Sequence, residues 1–105
     1  MQKLPLSRDD YNRSLLIADF ISKIKTVLEA MPEATDILFS PEAKGYTVSF
    51  RYNERSCTLR LNTLRRPFGK HRLKLRIYKE GILQETFSVS DTQRGAERLK
   101  VFLSK

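Results

Sequence analysis

The sequence contains almost no cysteine or histidine, the residues that most often bind zinc. Its 105 residues include one cysteine (Cys57), one histidine (His71) and no tryptophan. A single cysteine excludes an intrachain disulfide, and one cysteine with one histidine leaves too few ligands for a zinc site. Cys57 alternates with apolar residues, so we interpret it as a small core residue. We therefore expect no metal and no cofactor.

Long hydrophobic runs are also missing. The longest aliphatic run is Leu15–Ala18, far shorter than the roughly 20 apolar residues of a membrane span. Met1–Leu6 has one positive charge but no long apolar core of the kind found in secretory signals. The lone cysteine fits a reducing compartment. We therefore expect a cytoplasmic protein that does not bind membranes.

Motifs for catalysis are absent with one superficial exception. There is no glycine-rich phosphate loop and no serine or cysteine nucleophile beside a histidine motif. Asp36 with Glu42 and Lys44 matches the D…ExK arrangement of metal-dependent nucleases, in which the acids hold a divalent metal. The sequence places Glu42 and Lys44 in a Pro41–Gly45 turn and not on a strand, and the pattern is common by chance. We therefore predict that the chain is not an enzyme.

The first apolar pattern in the chain is helical. Ser7 is a suitable N-cap, and acids follow in the first turn, where they favour the helix dipole. Pro32 ends the pattern, so we predict a helix over about residues 8–31. One stripe of apolar residues recurs at helical spacing: Ile17, Phe20, Ile21, Ile24, Val27, Leu28 and Met31.

After Pro32 the apolar pattern has a period of two, which indicates strands. Turn residues separate five such segments, over about residues 36–40, 46–52, 57–62, 72–78 and 82–89. Helical spacing returns after Ser90-Asp91-Thr92-Gln93, which matches a capping box with Ser90 as N-cap. We expect Gly95 to weaken this last helix by about 1 kcal/mol relative to alanine. Its apolar stripe is Ala96, Leu99, Phe102 and Leu103.

These elements fit one domain over residues 1–105, because a chain of this length has room for one hydrophobic core. We predict a two-layer α+β fold. It has an N-terminal helix, an antiparallel meander sheet of about five strands and a C-terminal helix, with both helices on one sheet face. Tyr46, Phe50 and Tyr52 share a face with Val48, so we assign them to the core.

The positive charge is confined to one part of the chain. The net charge is +8, and residues 51–76 hold nine basic residues and one acid, Glu54, so this segment accounts for all of it. A protein that needed charge only for solubility would spread it more evenly. The nine basic residues are Arg51, Arg55, Arg60, Arg65, Arg66, Lys70, Arg72, Lys74 and Arg76.

Strand alternation predicts that many of these residues face away from the helices, among hydroxyl and amide side chains. The strands predicted at residues 46–52, 57–62 and 72–78 place no acid on this face. The loop from Thr63 to His71 extends the surface, with Phe68 at its tip available to stack on a base. The predicted nucleic-acid-binding residues are Arg51, Arg60, Arg65, Arg66, Phe68, Lys70, Arg72, Lys74, Arg76 and Tyr78.

These features predict a small accessory protein that binds nucleic acid through its outer sheet face and the basic loop. The alternative is an inhibitor or adaptor module that docks on an acidic surface of a protein partner. Charged residues are also common on any half-exposed sheet, where they deter aggregation. The sequence does not distinguish DNA from RNA or single from double strands. It also leaves open a monomer or a homodimer, because the strand around Ile37 could be a free edge available for dimer pairing.

Two resemblances concern layout alone. A helix, a meander and a final helix are similar to the layout of double-stranded-RNA-binding domains, although Ser90–Gln93 stands where that family has a basic cluster. Arg72–Phe102 looks like the arm-binding domains of phage integrases, with a basic strand, a turn at Gly81, a second strand and a capped helix. Both resemblances imply nucleic-acid binding, but fold analogy alone does not establish function.

Overall fold

The chain forms a helix, five strands and a second helix, in that order. The computed structural model describes residues 8–43, 45–64 and 72–104. Apolar residues of both helices and of the inner sheet face form one core, which confirms the predicted two-layer α+β fold. No helix in the described residues is long and apolar enough to cross a membrane. The elements are α1 (Arg8–Glu29), β1 (Ala34–Glu42), β2 (Gly45–Tyr52), β3 (Arg55–Leu64), β4 (Arg72–Lys79), β5 (Ile82–Val89) and α2 (Thr92–Leu103).

The sheet is an antiparallel meander with the strand order β1-β2-β3-β4-β5. Asn53 and Glu54, with φ values of 50° and 67°, connect β2 to β3. Glu80 and Gly81, with φ values of 53° and 79°, connect β4 to β5. Two consecutive left-handed residues are typical of a type I′ turn, whose twist matches that of the flanking strands. Both turns lie where the sequence predicted them.

The core lies between the sheet and the two helices. Phe20, Ile24 and Leu28 of the predicted α1 stripe are completely buried. The alternating residues of the central strands face them, and Ala96, Leu99 and Leu103 of α2 complete the core. The inner strand residues that are buried are Val48, Phe50, Cys57, Leu59, Leu61, Leu73, Leu75, Ile77, Phe87 and Val89.

A single glycine sets how closely α2 approaches the rest of the core. A Cβ atom at Gly95 would lie 2.7 Å from Cγ1 of Val89 and 3.0 Å from Cζ of Phe20. Both neighbours are buried and cannot swing into solvent. Gly95 is therefore the point at which α1, α2 and β5 meet, and the expectation that it only weakens the helix was incomplete.

Polar contacts also join the two helices. The Thr92 hydroxyl of α2 donates a hydrogen bond to the Asp19 carboxylate of α1. Nζ of Lys23 lies 2.8 Å from Oδ2 of the same carboxylate. The hydrogen bond from Lys23, followed by that from Thr92, lowers the pKa of Asp19 below its ordinary value. The carboxylate therefore favours its charged form where the helices touch.

Several boundaries differ from those predicted; β3, for example, includes Thr63 and Leu64, which the sequence had placed in the basic loop. Helix α1 ends at Glu29, two residues earlier than predicted, while Ser7 lies outside the described residues. Strand β1 includes Pro41 and Glu42, which the sequence had placed in a turn. The N-cap of α2 is Asp91 and not Ser90. Oδ1 of Asp91 accepts hydrogen bonds from the backbone N–H groups of Gln93 and Arg94, at 2.9 and 3.2 Å.

We predict that Gly95→Ala destabilises the protein by about 1–3 kcal/mol, because the added methyl group overpacks the contact with Val89 and Phe20. At an exposed helix position the same change would stabilise by about 1 kcal/mol, so the sign of the effect is informative. Urea unfolding followed by circular dichroism measures it. Gln93→Ala, at an exposed position of the same helix, should change stability by no more than about 0.5 kcal/mol. A stabilised Gly95→Ala variant would contradict the packing.

The two candidate caps of α2 can be separated in the same assay. We predict that Asp91→Ala costs about 1 kcal/mol, because two N–H groups of the first helical turn lose their acceptor. Ser90→Ala should change stability by less than about 0.5 kcal/mol, since Ser90 is exposed. A larger loss for Ser90→Ala than for Asp91→Ala would restore the serine as the cap.

Candidate functional site

The candidate site is the outer face of the sheet, meaning the side that points away from both helices. Strand register places Arg60 of β3 directly opposite Arg76 of β4. Thr47 of β2 lies on the other side of Arg60, and Thr86 of β5 lies beyond Arg76. Two arginines thus stand side by side at the centre of the sheet, flanked by hydroxyl groups that can donate hydrogen bonds.

Two further basic residues follow on the same side of β4. Lys74 lies between Asn62 and Ser88 on the neighbouring strands, and Arg72 lies opposite Leu64. Because alternate strand residues share a face, Arg76, Lys74 and Arg72 recur about every 7 Å along the strand. All three are half-buried, so their stems lie against neighbouring side chains. We call Arg60, Arg72, Lys74 and Arg76 the basic cluster.

One acid lies next to the basic cluster, and the sequence had not placed it there. Strands β2, β3 and β4 put no acid on the outer face, as predicted, but β1 extends to Glu42, which lies opposite Gly45. Oε2 of Glu42 is 3.9 Å from Nη2 of Arg60, with the two side chains 45% and 52% exposed. The Thr47 hydroxyl also donates to this carboxylate. At such exposure the ion pair is weak.

The structure separates Arg51 from the basic cluster. Arg51 lies opposite Ser56, and its Nη2 donates a 3.0 Å hydrogen bond to the carbonyl oxygen of Glu54 in the hairpin turn. Four strand positions, or about 14 Å, separate Ser56 from Arg60. Arg51 therefore supports its own turn and lies at the margin of the candidate site.

Tyr78 is on the outer face, as predicted, and lies opposite Thr58. An irregularity at Gln84 in β5 brings Leu83, and not Gln84, opposite Tyr78. Tyr78 and Thr58 belong to a row of outer-face residues that runs across the five strands. Leu38 and Leu83 lie at the two ends of this row and are 62% and 48% exposed. A shallow depression of about 300 Å³ next to the ring is lined by Glu42, Thr47, Thr58, Arg60, Tyr78 and Gly81. The depression combines an aromatic ring with a guanidinium group.

Four of the ten predicted site residues lie outside the described residues. These are Arg65, Arg66, Phe68 and Lys70 of the predicted basic loop, and His71 of the same loop also lies outside. The described site therefore consists of the basic cluster, Tyr78 and the hydroxyl groups between them. Among the residues that the structure describes, no carboxylate forms an ion pair with Arg72, Lys74 or Arg76.

The residues that resembled a metal-dependent nuclease do not converge. Asp36 lies in a bulge of β1 with φ of 53°, and Glu42 follows on the same strand at a distance of about 20 Å. Lys44 lies outside the described residues. Within residues 8–43, 45–64 and 72–104, no group of three histidine, cysteine or acidic side chains could hold a metal ion.

The single thiol is enclosed in the core. Cys57 is 2% exposed, in agreement with its predicted core position. Burial raises the pKa of the thiol above its ordinary value. The thiolate is the reactive form of cysteine, so this environment opposes nucleophilic chemistry at Cys57.

Comparison with known proteins gives no relative: no family model, curated protein or solved structure matches the chain. The two resemblances in layout thus have no support beyond the order of their elements. Function has to be argued from the chemistry of the site.

Proposed function

We propose that this protein is a nucleic-acid-binding accessory protein and not an enzyme, and that the basic cluster contacts phosphate groups. The supporting observation is the direct opposition of Arg60 and Arg76 at the centre of the outer face. Lys74 and Arg72 continue the positive charge along β4. The buried, unpaired Cys57 fits a reducing compartment, so we also propose a cytoplasmic location.

The opposed arginines have an energetic cost that a polyanion would remove. Like charges directly across an antiparallel pair destabilise the sheet by roughly 0.2–1 kcal/mol. Glu42 offsets part of this repulsion at Arg60, but Arg76 has no such partner among the described residues. A phosphate between the two guanidinium groups would accept hydrogen bonds from both, and the Thr86 hydroxyl beside Arg76 adds a further donor.

Tyr78 adds a different kind of contact. Aromatic rings stack on unpaired bases with little sequence preference, at roughly 1–3 kcal/mol per base. The Tyr78 ring borders the same depression as Arg60. A single-stranded segment could therefore place a base on the ring while its backbone follows the basic cluster.

The first experiment is fluorescence anisotropy with labelled single- and double-stranded DNA and RNA across a salt series. Phosphate binding predicts micromolar or tighter affinity near physiological salt and a steep fall of the binding constant with salt. Preference for single strands would support stacking on Tyr78. No binding to any of the four, even at low salt, would overturn the proposal and favour docking on an acidic protein surface.

We predict that charge reversal of Arg60, Arg72 and Arg76 to glutamate abolishes nucleic-acid binding and leaves the fold intact. Three lost phosphate contacts should also lower the slope of log binding constant against log salt by about 3 in any residual binding. Anisotropy gives the affinity, and circular dichroism gives the fold. Retained affinity in a folded variant would refute the surface assignment.

A matched control separates the outer face from overall charge. Lys25, Arg55 and Lys100 are exposed and lie outside the outer face, and their reversal to glutamate also takes the net charge from +8 to +2. Arg55 belongs to the same basic stretch of sequence but borders a cavity with Tyr52 and Cys57. This control should keep most of the affinity. Equal loss in both triple variants would show that net charge alone accounts for binding.

We predict that Glu42→Gln strengthens binding about two- to fivefold, since a surface ion pair with Arg60 is worth up to about 1 kcal/mol. The glutamine oxygen can still accept the Thr47 hydrogen bond, so local structure is preserved. Anisotropy at one salt concentration measures the gain. Glu29→Gln removes an exposed negative charge from α1 and should change affinity less. Equal effects of the two changes would place Arg60 outside the contact surface.

A further inference from the structure

A second surface with binding features lies between β5 and α2. A groove of about 320 Å³ has Phe87, Ser88 and Val89 of β5 on one wall, and Arg94, Gly95 and Arg98 of α2 on the other. Ser90 and Asp91, which connect the strand to the helix, close one end. Of these residues only Ser88 also borders the outer-face site, beside Lys74, and neither the basic cluster nor Tyr78 lines the groove.

The strand wall of this groove is a sheet edge that can accept another strand. Strand β5 is the last in the sheet order, so within the described part of the chain no strand pairs with its free edge. From Glu85 to Val89 its pairing with β4 is uninterrupted, which gives a regular edge about 17 Å long. Alternate residues along such an edge present unpaired backbone N–H and C=O groups.

The opposite edge of the sheet is blunted in two ways. Strand β1 has a register shift between Thr35 and Leu38, where Asp36 takes a left-handed conformation. Pro41 further along the strand has no N–H to donate. Bulges and prolines are common means of preventing strand addition at an edge. The regular part of β5 contains neither, so β5 is the edge suited to pairing.

The helix wall determines the charge of a suitable ligand. The guanidinium carbon of Arg98 lies 4.4 Å from the centroid of the Phe87 ring, and its Nη2 is 3.1 Å from Oε1 of Glu85. Arg94 lies one turn earlier and takes no part in the ion pairs of the described residues. The acid at the end of the groove, Asp91, already accepts the backbone N–H groups of Gln93 and Arg94.

We propose that this groove binds an extended acidic peptide segment of a partner protein. The peptide pairs with β5 as a sixth strand and places a carboxylate beside Arg94 and Arg98. Backbone hydrogen bonds supply affinity in such strand addition, and side-chain contacts on the helix supply selectivity. A peptide fits better than a nucleic acid because its backbone has the donors and acceptors, at strand spacing, that the β5 edge requires.

The test uses a labelled heptapeptide of alternating valine and glutamate, blocked at both ends, in fluorescence anisotropy and in NMR titration of the ¹⁵N-labelled full chain. We expect saturable binding and chemical-shift changes at residues 85–90 and 94–98. Two comparison peptides define the mode: one with lysine in place of glutamate, and one with N-methylated alternate peptide bonds. Each should bind at least about tenfold more weakly, because one loses the charge match and the other the strand pairing.

Arg94→Glu is the informative variant, because Arg94 is exposed and its side chain makes no ion pair in the described structure, whereas Arg98 also packs on Phe87. We expect Arg94→Glu to weaken peptide binding about tenfold. Lys100→Glu makes the same charge change at an exposed position on another side of α2 and should bind as the unaltered protein does. Thermal unfolding confirms that both variants fold.

This proposal and the nucleic-acid proposal fail independently. The Arg60, Arg72 and Arg76 triple reversal should keep peptide binding, and Arg94→Glu should keep nucleic-acid binding. The peptide proposal is overturned if no peptide binds, if the N-methylated peptide binds as well as its parent, or if the shift changes fall on the outer face.

Discussion

The contact at Gly95 brings both helices and the sheet together at one point. Because this residue has no side chain, α2 lies against Val89 of the sheet and Phe20 of α1 at the same point. Both helices pack on one side of the five-stranded sheet, because the buried apolar residues of the strands face that side. One complete sheet face is left outside the core, and α2 runs beside the edge strand β5. The two candidate binding surfaces are this outer sheet face and the groove between β5 and α2.

The elements that sequence predicted well are those in which one physical signal dominates. Helix α1 has an uninterrupted apolar stripe, and strand β2 alternates strictly, so period alone identifies them. The errors arose where a residue has two structural uses. Pro41 usually marks a turn, yet an edge strand tolerates it when its missing N–H faces solvent. Ser90 and Asp91 are both good caps, and only backbone geometry selects between them.

The candidate site was predictable in composition but not in arrangement. Alternation alone assigns Arg60, Lys74 and Arg76 to the outer face. The opposition of Arg60 and Arg76 depends on the register of β3 against β4. A long connection separates these two strands in the sequence. Short turns fix register locally, whereas a long connection leaves it to packing across the sheet. The contribution of Glu42 was missed for a different reason, because the sequence placed the end of β1 in a turn.

The meander has a consequence for how the chain acquires its structure during synthesis. Neighbouring strands are consecutive in sequence, so each hairpin can form soon after it leaves the ribosome. The inner face of β4 and β5 needs α2, which follows both strands in the chain. At roughly 5–20 residues per second, the residues from Ser90 to Leu103 take about 1–3 s to synthesise, so α2 can cover Leu73, Leu75 and Ile77 only after both strands have been made. The contact at Gly95 forms only when α2 docks, so any state of the sheet without α2 exposes its apolar inner face to aggregation and to chaperones.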